Sequence, residues 1–267
     1  MPEPRTLEDT YRRLSGDFRR TRTNNERSRS GSRVDIDVDQ VAPVLDWNVF
    51  VDQAFEWEQS QHVGLIGPTG AGKTTLALHI LNVRQYVVVF GTKPKDATLT
   101  ALVKQGSRLM KEGKPFDPSM VPKRLLWPDA KKLYAAREQR KVFQTAFNAI
   151  YPQGGWCVFV DELWYFVYHL KLELEIRTFL MQSRSNDISL VLCTQRPSRV
   201  PLEVYDQSDH LFFWQDNDES NLRRISGISW ANGKAVMQIV ANLDKYQFLY
   251  ANTRNGRMYR VTPPPPE

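Results

Sequence analysis

The chain has 267 residues, 41% of them hydrophobic, enough for one large α/β domain with extensions and an ordinary buried core. No apolar run approaches the roughly 20 residues of a membrane span. The N-terminal region has no apolar leader segment, and Cys157 and Cys193 have neither metal spacing nor a disulfide framework, so a cytoplasmic protein is expected. A net charge of +6 and a pI near 9.3 favour a polyanionic partner.

Residues 1–45 read as a basic, largely disordered arm, ahead of a domain over 46–262. Positions 1–33 are rich in Arg, Ser, Thr and Asn and cannot build a core. Such a segment serves equally as a solvated tail or as an arm that touches nucleic acid or a partner. A helix is expected near 52–59, a strand over 62–66 and a helix over 75–81. The β-branched and aromatic run 86–90 is a buried strand. Helices are expected over 97–112 and 130–150, the second with Phe143, Phe147 and Ile150 as a core stripe. The Lys/Pro-rich connection 111–128 shows no clear element. Strands follow at 156–160, 188–193 and 210–214, with a helical region over 164–182. Residues 236–261 read as short strands with hairpins at 242–244 and 253–256, and 263–267 as a stiff polyproline tail. Strands alternating with helices imply an α/β fold on a mainly parallel sheet.

The most specific stretch is Gly67-Pro68-Thr69-Gly70-Ala71-Gly72-Lys73-Thr74, which meets the phosphate-loop pattern G-x-x-x-x-G-K-[ST] at every position, in the required strand–turn–helix context. Glycines let the backbone approach an anion, consecutive N–H groups cradle phosphates, and the following helix adds its positive end. Lys73 is placed to reach the β- and γ-phosphates and Thr74 to ligate Mg²⁺, with Thr75 completing the nucleotide-binding set; ATP and Mg²⁺ are the expected ligands.

Asp161-Glu162 follows the apolar strand ending at Val160, the Walker B arrangement. A carboxylate at that strand end faces the crevice where parallel sheets bind ligands. Asp161 is expected to hold Mg²⁺ through water and Glu162 to activate the attacking water. A surface acidic pair opening a helix is the plainer alternative. Gln195, after the next strand, is either a strand-end cap or a group that hydrogen-bonds the γ-phosphate or the lytic water. Arg184, in Ser183-Arg184-Ser185-Asn186-Asp187, reads from its own surroundings as a loop arginine.

Val160-Asp161-Glu162-Leu163, Arg184, the strand ending in Thr194-Gln195-Arg196-Pro197-Ser198, and Asp209-His210-Leu211-Phe212-Phe213 together resemble the FtsK–HerA superfamily of nucleic-acid-pumping ATPases over roughly residues 60–215. The resemblance implies a RecA-like core with an additional strand, a catalytic glutamate and a ring, usually hexameric, around double-stranded DNA. It gives Gln195 the sensor role and makes Arg184 an arginine finger for a neighbouring subunit, with Arg196 a weaker competitor. The chain is short and lacks a membrane anchor, which resembles the genome-packaging ATPases of membrane-containing viruses. Packaging of a viral or mobile-element genome is therefore expected, in host cytoplasm or virion, with capsid or membrane-vertex proteins as docking partners. A zonula-occludens-toxin-like assembly or extrusion factor on the same core is the alternative. One departure stands out: many relatives carry Asp directly after the second strand, where this chain has Gly91, and Asp96 is the nearest replacement.

Overall fold

The computed structural model describes residues 37–112, 121–131, 135–227 and 232–264. Most of the basic arm, the middle of the Lys/Pro-rich connection and the last three residues of the tail lie outside these. Among the described residues ten strands form one sheet: β1 (Val44–Leu45), β2 (Val63–Ile66), β3 (Val87–Phe90), β4 (Arg108–Met110), β5 (Lys123–Leu126), β6 (Cys157–Val160), β7 (Ser189–Thr194), β8 (His210–Trp214), β9 (Phe248–Asn252) and β10 (Met258–Val261). Their order is β1-β10-β9-β8-β2-β7-β6-β3-β5-β4. From β8 to β4 every pairing is parallel; β9 is antiparallel to both β8 and β10, and β1 runs parallel to β10. β7 lies between β2 and β6, so one additional strand separates the phosphate-loop strand from the strand that ends at Asp161.

The central strands are buried at every position because helices cover both faces, and successive side chains point to opposite ones. Val88, Phe90, Val158, Val160, Leu190 and Leu192 pack against Phe143, Phe147 and Ile150 of the helix Ala135–Gln153 and Ile176 and Leu180 of the helix Glu173–Gln182. Val63, Leu65, Val89, Phe159, Val191 and Cys193 share the other core with Leu76, Ala77 and Ile80 of the helix Lys73–Leu81. Phe90 is fully buried, its ring 5.0 Å from Phe143, 5.2 Å from Phe147 and 5.9 Å from Phe166. Phe90→Ala is therefore expected to cost about 3–5 kcal/mol, read from chemical denaturation; a loss below about 1 kcal/mol would mean that the site collapses around the gap.

Several local expectations are corrected. The helix near 52–59 is instead Trp47–Val49, capped by the Asp46 carboxylate, followed by a wide turn over Phe50–Ala54. Beyond it the chain is drawn out so that Phe55 joins Phe50, Phe212 and Tyr250 in an aromatic cluster. The 97–112 helix ends at Lys104, because Gly106 takes the left-handed conformation (φ 97°) that closes a helix and turns the chain into β4. The connection 111–128 contains β5. The 164–182 region divides into a wide turn over Tyr165–His169 and the helix Glu173–Gln182. Residues 236–241 belong to the helix Gly233–Ala241, capped by Asn232, so 242–244 is a helix-to-strand connection and only 253–256 makes a hairpin. The sheet also begins before residue 46, since Val44 and Leu45 pair with β10. No helix among the described residues is long and apolar enough to cross a membrane.

Candidate nucleotide site

β2 delivers the chain to its carboxyl edge, and the phosphate loop turns there between β8 and β7. Gly67 N–H donates to the Thr194 carbonyl at 3.1 Å. A side chain at Gly67 would bring its Cβ within 2.7 Å of Trp214 Cβ, so only glycine lets the loop lie this close to β8. Gly70 and Gly72 take φ values of 78° and 99°, and Gly72 stands at the N-cap of the helix Lys73–Leu81. Pro68, Thr69 and Gly70 are exposed, Ala71 and Thr74 half-buried, and Thr75 exposed.

Lys73 is buried, and its ammonium donates to the carbonyls of Gly67 and Pro68, both at 2.7 Å. Burial pulls its pKa below the usual lysine value, against the opposing charges of Glu162 and Asp161. The Thr74 hydroxyl donates to Asp161 Oδ1 at 2.6 Å, and the Thr69 hydroxyl to Gln195 Oε1 at 2.5 Å. Burial pushes the Glu162 carboxyl above the usual glutamate value, with Lys73 pulling the other way. The ends of β2, β6 and β7 thus bring together Lys73, Thr74, Asp161, Glu162 and Gln195. Thr74 and Asp161 offer hard oxygens of the kind that fit Mg²⁺, which takes one or two protein oxygens and shares the rest with substrate phosphates and water.

Arg184 is not part of this group. It precedes β7 while Gln195 follows it, so the strand's length, about 20 Å at roughly 3.3 Å per residue, separates them. Its guanidinium grips the buried Asp209 carboxylate at 2.8 and 3.0 Å and also donates to the Gln207 carbonyl. Arg254, on the β9–β10 hairpin, donates to the same carboxylate. Arg196 lies on the nucleotide edge, its guanidinium 5.1 Å from the Trp164 ring.

The departure at Gly91 has a steric reason. A Cβ there would sit 2.9 Å from Leu99 Cδ1 and 3.0 Å from Trp127 Cδ1, so a larger residue needs both of these side chains to give way. Asp96 caps the helix Ala97–Lys104 through Leu99 N–H at 3.0 Å. Lys93 is the residue of this loop that enters the site, donating to Asp161 Oδ2 at 2.9 Å. Sequence reasoning assigned it no role; its only signal is a lysine three positions past a buried strand.

No family model matches the chain and no curated protein does. Solved structures do. The genome packaging NTPase B204 from Sulfolobus turreted icosahedral virus 2, in complex with sulfate, superposes with a TM-score of 0.58 at 17% identity over 76% of this chain and 97% of that one. The DNA-packaging ATPase B204 from Sulfolobus turreted icosahedral virus does so with a TM-score of 0.59 at 19% identity over 78% and 100%. VirB4 of Thermoanaerobacter pseudethanolicus gives 0.56 at 11% identity over 76% and 90%. With the additional strand, the phosphate loop and the acidic pair in place, the chain shares the P-loop NTPase fold of these structures.

Proposed function

We propose that this protein hydrolyses ATP to move double-stranded DNA, packaging a viral or mobile-element genome from a homo-oligomeric, hexameric ring in the host cytoplasm or at the virion. The observation that carries the reading is the pair of contacts closing the phosphate loop onto the two neighbouring strand ends, Thr74 on Asp161 and Thr69 on Gln195. Residues 67–75 cradle the phosphates, and Lys73 passes from its two loop carbonyls to the β- and γ-oxygens. Thr74 and Asp161 would hold Mg²⁺, which would supply positive charge against the phosphates. Glu162, half-buried and raised in pKa, takes a proton from the attacking water, and Gln195 orients that water or reports the terminal phosphate. Arg184, remote from its own loop, serves a neighbouring subunit's nucleotide. The likeness to two viral packaging enzymes supports the packaging role, and capsid or vertex proteins are the proposed docking partners.

The test is ATP hydrolysis by the full chain with and without duplex DNA. Stimulation by DNA is expected; hydrolysis indifferent to DNA would favour an assembly or extrusion factor. Deleting residues 1–33 should weaken duplex binding and flatten its salt dependence, because arginines spaced by Ser, Thr and Asn contact phosphates of any sequence and release counterions. Basal hydrolysis should hold. An unchanged salt slope would move the arm from DNA to partner docking.

A further inference from the structure

Lys93 completes a site that Lys73 already supplies with one ammonium. Both oxygens of Asp161 are engaged, Oδ1 by the Thr74 hydroxyl at 2.6 Å and Oδ2 by Lys93 Nζ at 2.9 Å. The Lys93 backbone is fixed: its carbonyl accepts from Trp127 Nε1 at 2.7 Å, and that of Thr92 from Gln139 Nε2 at 2.9 Å. The side chain is not enclosed; it is 46% exposed, against 7% for Asp161. A second acceptor, Asp96 Oδ2, stands at 3.4 Å. Lys93 therefore has an anchored base, a partly exposed head and a contact that a cation on Thr74 and Asp161 would contest through like-charge repulsion. The same ligand would bring the strongest anionic acceptor in reach, the terminal phosphate of a nucleoside triphosphate.

We infer that Lys93 distinguishes triphosphate from diphosphate: its ammonium leaves Asp161 Oδ2 for the terminal phosphate of a bound nucleoside triphosphate and returns to Asp161 when only a diphosphate remains. The inference deepens the nucleotide-hydrolysis reading and rests on it. Its chemistry is a transfer of one charge-assisted hydrogen bond between carboxylate and phosphoryl oxygen, with no covalent step. Lys73 is less suited to the task. It is buried within the loop backbone and reaches the β-phosphate, common to both nucleotides, as well as the γ-phosphate, whereas Lys93 approaches from the loop after β3.

Equilibrium binding to the full chain in Mg²⁺ tests this without turnover, using a non-hydrolysable ATP analogue and ADP as probes. Lys93→Met, which keeps the length of the side chain, should weaken analogue binding by about tenfold or more while ADP affinity stays within about twofold. Lys93→Arg should restore part of the discrimination. Equal weakening of both nucleotides would overturn the inference and make Lys93 a pin for Asp161. Equal tightening would also overturn it and make Lys93 a plug in the cation site. A wild-type chain that binds neither probe would sink the nucleotide reading itself, a result separable from wild-type discrimination that survives the substitution.

Discussion

Glu162→Gln is expected to leave ATP binding intact and to lower turnover by about 10²–10⁴-fold, the contribution of a positioned general base. Glutamine keeps the size and hydrogen-bonding reach of the side chain but cannot take the water's proton. Lys73→Ala should act differently. The ammonium that now satisfies two loop carbonyls at 2.7 Å would be gone, leaving the phosphates without their central cation. Binding and turnover should then fall together, turnover by about 10²–10³-fold or more. Titration separates the two further. A base must be ionised to act, and Glu162 is raised above the ordinary glutamate value by burial, so activity should be lost on acidification at a higher pH than a solvent-exposed glutamate would give. Nucleotide binding and a pre-steady-state turnover assay decide the matter. Near-normal turnover in Glu162→Gln would remove this residue from the chemistry.

Arg184→Ala is expected to reduce hydrolysis by about 10³-fold or more, the scale of an arginine that stabilises transition-state charge. The geometry poses a sharp alternative, because Arg184 also anchors the fold. Its partner Asp209 is only 5% exposed, and the substitution removes two contacts to that carboxylate and one to the Gln207 carbonyl. That carboxylate still accepts from His62 N–H at 2.8 Å and from Arg254, so the structural loss should stay near 1.5–3 kcal/mol and the variant should fold. Mixing separates the roles. In mixed rings of Arg184→Ala and Lys73→Ala chains, some interfaces pair an intact phosphate loop with an intact Arg184, and activity should return in part. Mixed rings that form without any rescue would make Arg184 a pin for Asp209, and Arg254, 55% exposed on the same carboxylate, would become the better candidate.

The site was legible where its signal is contiguous. Eight adjacent residues specify the phosphate loop, and Asp161-Glu162 announce themselves because they directly follow an apolar strand. The long buried strands were legible for the same reason: a run such as Cys157-Val158-Phe159-Val160, apolar on both faces, has few other ways to be buried. Short elements were not. β4 and β5 carry Arg108, Lys123 and Arg124 and form because the edge of a parallel sheet offers them backbone partners, which no local pattern encodes. The 97–112 helix overran because helical propensity continues past Lys104, while one left-handed glycine ends it. The sequence by itself picked out the groups expected to meet a nucleotide. Only the tertiary structure decided which of them touch: Thr74 and Asp161 are 87 residues apart and Lys93 and Asp161 68 apart, and their contacts depend on the register of four strands, β2, β7, β6 and β3. By contrast, that Arg184 and Gln195 stand at opposite ends of β7 was already implied by the strand expected over 188–193 between them. A side chain's place along a strand follows from which neighbours pair with it, and pairing is a long-range choice settled by burial of the whole sheet.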